Sequence, residues 1–183
     1  IVDNCQKRPQ RLFEERELSV DECAGYLQKA INLLKSQTAA SDGSEGSLKV
    51  IITVSPIRYA KYGYHGSLLS KATLLLAADK LVKENPGVVS YFPAYEIMND
   101  ELRDYRFYKE DMLHPSEQAV EYIWERFRAT YFGKAAEQFL EDWRPIREAL
   151  GHKPFHPESE EHKKFIARTE EKKRQFEEKY HLL

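Results

Sequence analysis

The stretch Lys49-Val50-Ile51-Ile52-Thr53-Val54 is a continuous apolar run in which most residues are β-branched. Such a run of strand length, without polar alternation, is typical of a parallel strand that is covered on both faces. It ends at Ser55-Pro56, because proline cannot donate to a sheet ladder. We therefore expect a buried strand whose following loop lies at the carboxyl edge of a parallel sheet.

A helix and a second strand follow this run. Apolar residues recur at helical spacing over residues 68–83, and Asn85-Pro86-Gly87 stops that pattern. Residues 88–92 (VVSYF) then form a second apolar run that ends at Pro93. The order strand, helix, strand predicts a βαβ unit, which requires parallel pairing and a right-handed crossover. The predicted fold class is therefore α/β.

Further helices are predicted on both sides of this unit. Ser19 and Glu22 form a capping box that begins a helix reaching about Lys35. Periodicity predicts helices over residues 116–131 and 135–150, the second interrupted near Pro145, and a charged helix or partner-binding arm over 158–180. We assign residues 1–132 to an α/β domain and 133–183 to a helical, charged C-terminal extension.

The composition excludes several classes of function. The 28 basic and 30 acidic residues are nearly balanced, which argues against nucleic-acid binding. The apolar runs are too short to cross a bilayer. Cys5 and Cys23 give no zinc spacing, so we expect no metal and no cofactor. Reduced thiols in a cytoplasmic protein are the simplest interpretation, although export signals are removed on maturation.

The candidate chemistry lies in a D-x-x-H pattern, Asp111 to His114, just before a helix for which Ser116 is the expected N-cap. A carboxylate at this spacing can accept a hydrogen bond from one ring nitrogen and leave the other free to take a proton. These are the base and orienting residue of a nucleophilic triad. The alternative is that both residues only cap and decorate the start of the helix.

Ligands of open parallel sheets bind beyond the carboxyl ends of the strands. This rule brings together Asn4, Arg58 and the segment 93–114, which contains Asp111 and His114. Tyr95 and Tyr108 are candidates for the wall of a sugar- or acyl-binding cleft, although packing explains them equally well.

No serine in the sequence stands out as a nucleophile. Ser55 is better explained as a residue that ties down its own turn. Ser67 and Ser70 fit the cap and first turn of the following helix.

Several sequence blocks occur together, in one order, over roughly residues 1–130. They are residues 3–9 (DNCQKRP), 51–58 (IITVSPIR), 69–74 (LSKATL), 89–97 (VSYFPAYEI), 100–108 (DELRDYRFY) and 111–115 (DMLHP). In these blocks the chain resembles the later part of the GSCFA-domain family, a branch related to the SGNH/GDSL hydrolases.

The resemblance implies a three-layer α/β/α, flavodoxin-like parallel sheet and ester hydrolysis by a serine nucleophile. It also implies that His114 is the catalytic base and Asp111 its orienting residue. The naming motif Gly-Ser-Cys-Phe-Ala, which should carry the nucleophile, is absent from the sequence. The chain therefore resembles a domain that lacks its front half. Tyr59 stands where a histidine is expected after Ser-Pro-x-Arg, which weakens a catalytic role for that loop.

Three functions follow as hypotheses. The first is a serine-type esterase or acyl hydrolase acting on a small-molecule or glycan ester, to which this chain supplies the Asp-His pair and, by itself, no activity. The second is a non-catalytic glycan- or protein-binding α/β module. The third is a structural protein whose charged tail pairs with a partner helix. An incomplete sheet would leave Val50, Ile52 and Val88 poorly covered, so we expect self-association or cover by a missing N-terminal segment.

Overall fold

A computed structural model of the protein describes residues 9–38, 48–154 and 158–182, and it shows a mixed α/β chain that is mostly helical. The predicted strand end at residues 1–2, Asn4 and most of the predicted connector lie outside these residues. The helices and strands, in chain order, are α1 Val20–Thr38, β1 Val50–Thr53, α2 Gly63–Glu84, β2 Val89–Phe92, α3 Ala94–Glu96, α4 Glu117–Tyr131, α5 Lys134–Gly151 and α6 Glu160–Lys179. A π-helical segment, Ile97–Leu102, continues directly from α3. The predicted α/β class is confirmed.

The two strands form a parallel sheet with α2 as the crossover between them. Val50 is the register partner of Val89, and Thr53 is the partner of Phe92. This pairing confirms the predicted βαβ order. Because the strands are parallel, the loops after Thr53 and after Phe92 leave the sheet at the same edge.

One apolar cluster joins α1, α2 and the sheet. Its buried members are Ala24, Ile31, Ala77, Leu81 and Val89. The partly buried Val50, Ile52 and Val88 pack against this cluster, so the expectation that these three residues are poorly covered is wrong. The exposed position is Ile51, which retains 40% of its accessible surface. The expectation of cover on both faces is therefore also wrong for the described residues, since β1 alternates between partly buried and exposed positions.

The start of α1 and the end of α2 are fixed by side-chain hydrogen bonds. The Ser19 amide donates to Glu22 Oε2 at 2.9 Å and the Glu22 amide donates to Ser19 Oγ at 3.3 Å, as the capping box predicts. Asn85, which is 5% exposed, follows α2 directly. Its amide nitrogen donates to Gln28 Oε1 at 2.6 Å and to the Leu81 carbonyl at 2.9 Å. The Asn85 side chain thereby ties the end of α2 to α1.

Helix α2 begins at Gly63, which is earlier than the apolar pattern predicts. Gly63 has φ +69°, a left-handed conformation that glycine adopts without strain. Ser67 consequently lies inside the helix rather than at its cap or first turn. It is 6% exposed, and its hydroxyl accepts a 3.1 Å hydrogen bond from the Tyr59 amide.

The chain divides into two compact units, one ending at Glu125 and the other beginning at Arg126. The second unit contains α5 and α6, which pack through a cluster of aromatic rings formed by Phe139, Trp143, Phe176 and Tyr180. Helix α5 runs through Pro145, so the predicted interruption there is wrong. The charged helix has a buried side, since Thr169 and Phe176 are 3% and 6% exposed.

None of the helices in the described part of the chain is long and apolar enough to cross a membrane.

Candidate functional site

The D-x-x-H sequence forms a tight turn in which Asp111 makes three hydrogen bonds. Asp111 Oδ1 accepts from the amides of Leu113 and His114 at 2.9 and 3.0 Å. Asp111 Oδ2 lies 2.5 Å from His114 Nδ1. Met112, between them, has φ 58°, which is uncommon for a residue other than glycine. The carboxylate therefore holds both the turn and the imidazole.

The electrostatics of this turn favour an ionised carboxylate. Hydrogen bonds from the His114 amide, the Leu113 amide and the His114 ring lower the pKa of Asp111 to about 2. An ionised carboxylate can only accept, so at neutral pH the hydrogen lies on His114 Nδ1. No described residue hydrogen-bonds Nε2, and 53% of the histidine side chain is exposed. The pair thus has the geometry of an oriented base with an open second nitrogen.

Main-chain hydrogen bonds pair the two segments on either side of this turn in an antiparallel manner. The Lys109 amide donates to the His114 carbonyl at 2.8 Å, and the Ser116 amide donates to the Phe107 carbonyl at 2.7 Å. Tyr108 and Pro115 form an antiparallel bridge between these two bonds. Ser116 Oγ accepts from the Ala119 amide at 3.3 Å, which confirms Ser116 as the N-cap of α4.

The turn is also attached to the loop that follows β1. The Arg58 amide donates to the Leu113 carbonyl at 3.0 Å, and Arg58 Nη1 donates to the Met112 carbonyl at 3.2 Å. Since Arg58 follows the carboxyl end of β1, the Asp-His pair lies beside that edge of the sheet. This is the position that the rule for open parallel sheets predicts.

A cleft of about 280 Å³ opens next to this attachment. Its lining combines tyrosines with cationic and amide side chains and includes Arg58, Tyr64, Lys71, Tyr95, Asn99, Arg103, Tyr105 and Tyr108. Of the predicted substrate-binding residues, Arg58, Tyr95 and Tyr108 thus lie in one cleft, whereas Asn4 lies outside the described residues. Asp111 and His114 are not among the lining residues. They lie on the turn to which Arg58 is hydrogen-bonded.

Arg58 organises the aromatic part of the cleft. Its guanidinium carbon lies 4.4 Å from the ring centroid of Tyr64, 5.4 Å from that of Tyr108 and 5.9 Å from that of Tyr105. Burial raises the pKa of Tyr95 and of Tyr108, so both phenols stay protonated at neutral pH. Tyr95 can donate a hydrogen bond to a ligand, whereas the Tyr108 hydroxyl donates to Asn99 Oδ1 at 3.5 Å.

Sequence reasoning missed three features of the cleft. Lys71 lines it from α2, where its Nζ donates to the Ser55 carbonyl at 2.7 Å and burial lowers its pKa. The segment Ile97–Leu102 is π-helical, a form that is rare and occurs often at functional sites. Arg103 follows it with φ 46°. For Lys71, the available sequence signal was its place in the block LSKATL, one of the blocks on which the resemblance to the GSCFA family rests.

The remaining candidates play structural roles or none. Ser55 Oγ accepts from the Ile57 amide at 3.3 Å, so Ser55 ties down its own turn as predicted. No group of three or more His, Cys, Asp and Glu side chains in residues 9–38, 48–154 and 158–182 could hold a metal ion. Cys23 is a free thiol.

The fold and site together define a mixed α/β protein with an Asp-His pair beside the carboxyl edge of a parallel sheet. The family model described as the GSCFA family matches residues 1–127, and the model described as the GSCFA domain protein, C-terminal domain, matches residues 143–183. The chain therefore belongs to the GSCFA family. A comparison with curated proteins gives no match, and neither does a comparison with solved structures.

Proposed function

We propose that this chain carries the base-bearing part of a serine-type ester hydrolase, with His114 as the general base and Asp111 as the residue that orients it. The observation that carries this proposal is the hydrogen bond of 2.5 Å between Asp111 Oδ2 and His114 Nδ1, with Nε2 open. This arrangement is the base-and-orienter pair that activates a serine hydroxyl.

In the proposed chemistry, His114 takes up one proton and gives it away again in each of the two stages. Nε2 takes the proton of a serine hydroxyl as its oxygen attacks the ester carbonyl, and it then gives that proton to the departing alkoxide. Water repeats the sequence to release the acid and restore the serine. The serine and the oxyanion hole must come from the segment with the Gly-Ser-Cys-Phe-Ala motif, which this sequence does not contain.

We extend the proposal to the fold and the substrate. The parallel pair β1 and β2 with its α2 crossover is compatible with part of a three-layer, flavodoxin-like SGNH sheet. The cleft beside the turn would hold a small-molecule or glycan ester through Arg58, Tyr95 and Tyr108. A glycan or acyl group fits such a site because tyrosine rings offer both apolar faces and hydroxyl donors.

A second candidate function is a non-catalytic binding module. This alternative is favoured because the cleft and the Asp-His pair do not share residues: tyrosines and cations line the cleft, but Asp111 and His114 do not. On this alternative, the Asp-His hydrogen bond only braces the turn that leads into α4.

Hydrolysis and fluorophosphonate labelling distinguish the two. The chain is joined behind the motif-bearing segment of a GSCFA-family member, and p-nitrophenyl acetate turnover and labelling are measured. We expect both in the fusion protein and neither in the chain alone. His114→Ala should lower turnover by roughly 10²–10⁴-fold, the range for loss of a general base. His65→Ala, at an exposed histidine outside the cleft lining, is the matched control.

Either of two results would contradict the proposal. Turnover in the fusion protein that survives His114→Ala would remove His114 from the chemistry and favour the binding module. Turnover by the chain alone that His114→Ala abolishes would instead place the nucleophile among the serines of this chain.

A further inference from the structure

The cleft beside the Asp-His turn has an unbalanced charge. Arg58, Lys71 and Arg103 line it, against a single carboxylate, that of Asp104. That carboxylate is already engaged, since its two oxygens accept from the amide of Arg106 at 2.9 Å and from Nη2 of Arg106 at 3.2 Å. None of the three cations forms an ion pair with any residue of the described part of the chain. A concave site lined by three cations and one carboxylate that is already paired favours an anion.

Arg58, which lines this cleft, has one edge of its guanidinium without a hydrogen-bond partner in the described part of the chain. One face of its guanidinium lies over the Tyr64 ring at 4.4 Å, and Nη1 donates to the Met112 carbonyl. Within the described ranges, Nε and Nη2 have no hydrogen-bond partner. These two nitrogens form the flat edge with which arginine binds a carboxylate or phosphate through two parallel hydrogen bonds. The stacking and the Nη1 bond hold the group in place before a ligand arrives.

Lys71 and Arg103 converge on the same space from other elements. Lys71 is partly buried on α2 and uses its Nζ for one bond to the Ser55 carbonyl, which leaves further donors on the ammonium. Arg103 ends the π-helical segment in a left-handed conformation with φ 46°. Such a conformation is uncommon for arginine and recurs at ligand sites, where the surrounding structure maintains it. Two unusual backbone features therefore coincide at this wall of the cleft.

We propose that this cleft binds an anionic ligand, a molecule or substrate group that bears a carboxylate or phosphate on a body the size of one ring. The open edge of Arg58 binds the anion, Lys71 and Arg103 add charge, and Tyr95 and Tyr108 contact the ring. A cleft of about 280 Å³ is at the small end for ligand sites, which matches a single ring. The inference deepens the proposed hydrolase, and rests on it only in stating that the ester substrate is acidic.

Direct binding to the chain as it exists tests this inference without any reaction. Isothermal titration calorimetry is carried out with D-glucuronate, with glucose 6-phosphate and with neutral glucose. We expect each anion to bind on the order of tenfold or more tightly than glucose, because a charge-assisted bidentate contact exceeds a neutral one by about that factor or more. The difference should shrink as sodium chloride is added. A preference between the first two probes separates carboxylate from phosphate recognition.

Three variants locate the site. Arg58→Lys keeps the charge but loses the flat edge and should weaken anion binding roughly tenfold. Lys71→Met should weaken it several-fold while leaving the Arg58 contacts in place. Lys83→Met is the matched control, because Lys83 lies on the same helix, is exposed and pairs with Asp79 outside the cleft. It should leave binding unchanged, and amide chemical shifts should move around Arg58 and residues 97–108.

The inference is overturned if neither anion binds at concentrations up to about 10 mM, which corresponds to a binding free energy weaker than about 2.7 kcal/mol. Equal binding of glucose, or an equal loss in Lys83→Met and Lys71→Met, would also overturn it. These outcomes are separate from those of the hydrolase test. Anion binding without turnover would contradict only the proposed hydrolase. His114-dependent turnover of neutral esters without anion binding would contradict only the anion site.

Discussion

The main-chain amide of Arg58 donates a 3.0 Å hydrogen bond to the carbonyl oxygen of Leu113. This bond joins the loop that leaves β1 to the turn that carries His114. Because it involves only main-chain atoms, this bond itself does not depend on the identity of either side chain. The Arg58 guanidinium adds a second bond to the same turn, at the Met112 carbonyl. One residue therefore both lines the cleft and holds the candidate base.

The tautomer of His114 is the first prediction. Neutral histidine in water favours the hydrogen on Nε2, whereas the Asp111 carboxylate requires it on Nδ1. We expect the imidazole nitrogen shifts of His114, measured by long-range ¹H–¹⁵N correlation, to show the Nδ1–H form. Asp111→Ala should return the ring to the ordinary mixture. Exposed His65, in the same spectrum, serves as the reference. An Nε2–H ring in the unmodified protein would contradict the orienting role of Asp111.

Asn85→Ala should destabilise the packing of α1 on α2. The substitution removes the bonds from the Asn85 side-chain amide to Gln28 Oε1 and to the Leu81 carbonyl, so that only the main-chain amide of residue 85 still donates to that carbonyl and Gln28 loses its partner beside α2. We expect a loss of about 1–3 kcal/mol, read from hydrogen exchange of the α1 and α2 amides. The control is Asn32→Ala, since Asn32 bonds Gln28 from an exposed position and should change stability by less than about 0.5 kcal/mol. Equal effects would show that the Asn85 contacts do not matter.

Asp142 should make the α5–α6 pair sensitive to acid. Hydrogen bonds from Lys179, Tyr180 and Gln138 lower its pKa to about 2. A lowered pKa means that the folded form binds its proton less readily than the unfolded form does. The stabilisation is therefore complete above the ordinary value of 3.8 and is lost as the pH falls toward about 2.

The measurement is thermal unfolding of α5 and α6 between pH 5 and about pH 2, followed by the fluorescence of Trp143 in a Trp124→Phe background, because the sequence contains two tryptophans. Asp142→Asn should flatten the dependence in this window and lower stability at neutral pH. Glu141→Gln changes an exposed neighbouring carboxylate and is the control. An unchanged pH profile in Asp142→Asn would contradict the role assigned to this carboxylate.

Self-association of the chain is the fourth prediction. Leu69 and Leu76 lie two turns apart on α2 and are 57% and 58% exposed, and Ile51 of the sheet is 40% exposed. Burial of such apolar surface in an interface contributes about 25 cal/mol of stabilisation per Å². We expect light scattering after size-exclusion chromatography to give a mass above 21.5 kDa. Leu76→Lys should reduce it, whereas a monodisperse monomer over the whole concentration range would contradict the prediction.

The features that could be predicted from the sequence are those set by neighbours in the chain. The Ser19 and Glu22 capping box, the Ser116 N-cap and the Asp111 to His114 pairing all join residues three positions apart, and each occurs as expected. The strands were recognisable because their residues are β-branched or aromatic and end at proline.

The remaining features depend on contacts between distant segments. Helix α2 extends back to Gly63 through residues with no apolar period, and there Ser67 binds the Tyr59 amide. The left-handed conformation of Arg103 follows a π-helical segment that no local pattern distinguishes from an ordinary helix. In the sequence, Lys71 is one polar position of an amphipathic helix. Only the packed structure shows that it lines the cleft.

The position of Lys71 also has a practical consequence. Because burial lowers the pKa of this lysine, a larger fraction of it is the free amine at a given pH than for a surface lysine. The free amine is the form that attacks acylating reagents. At equal access, an amine-reactive dye should therefore label Lys71 faster than an exposed lysine such as Lys83, and would install an optical reporter in the cleft without any engineered cysteine.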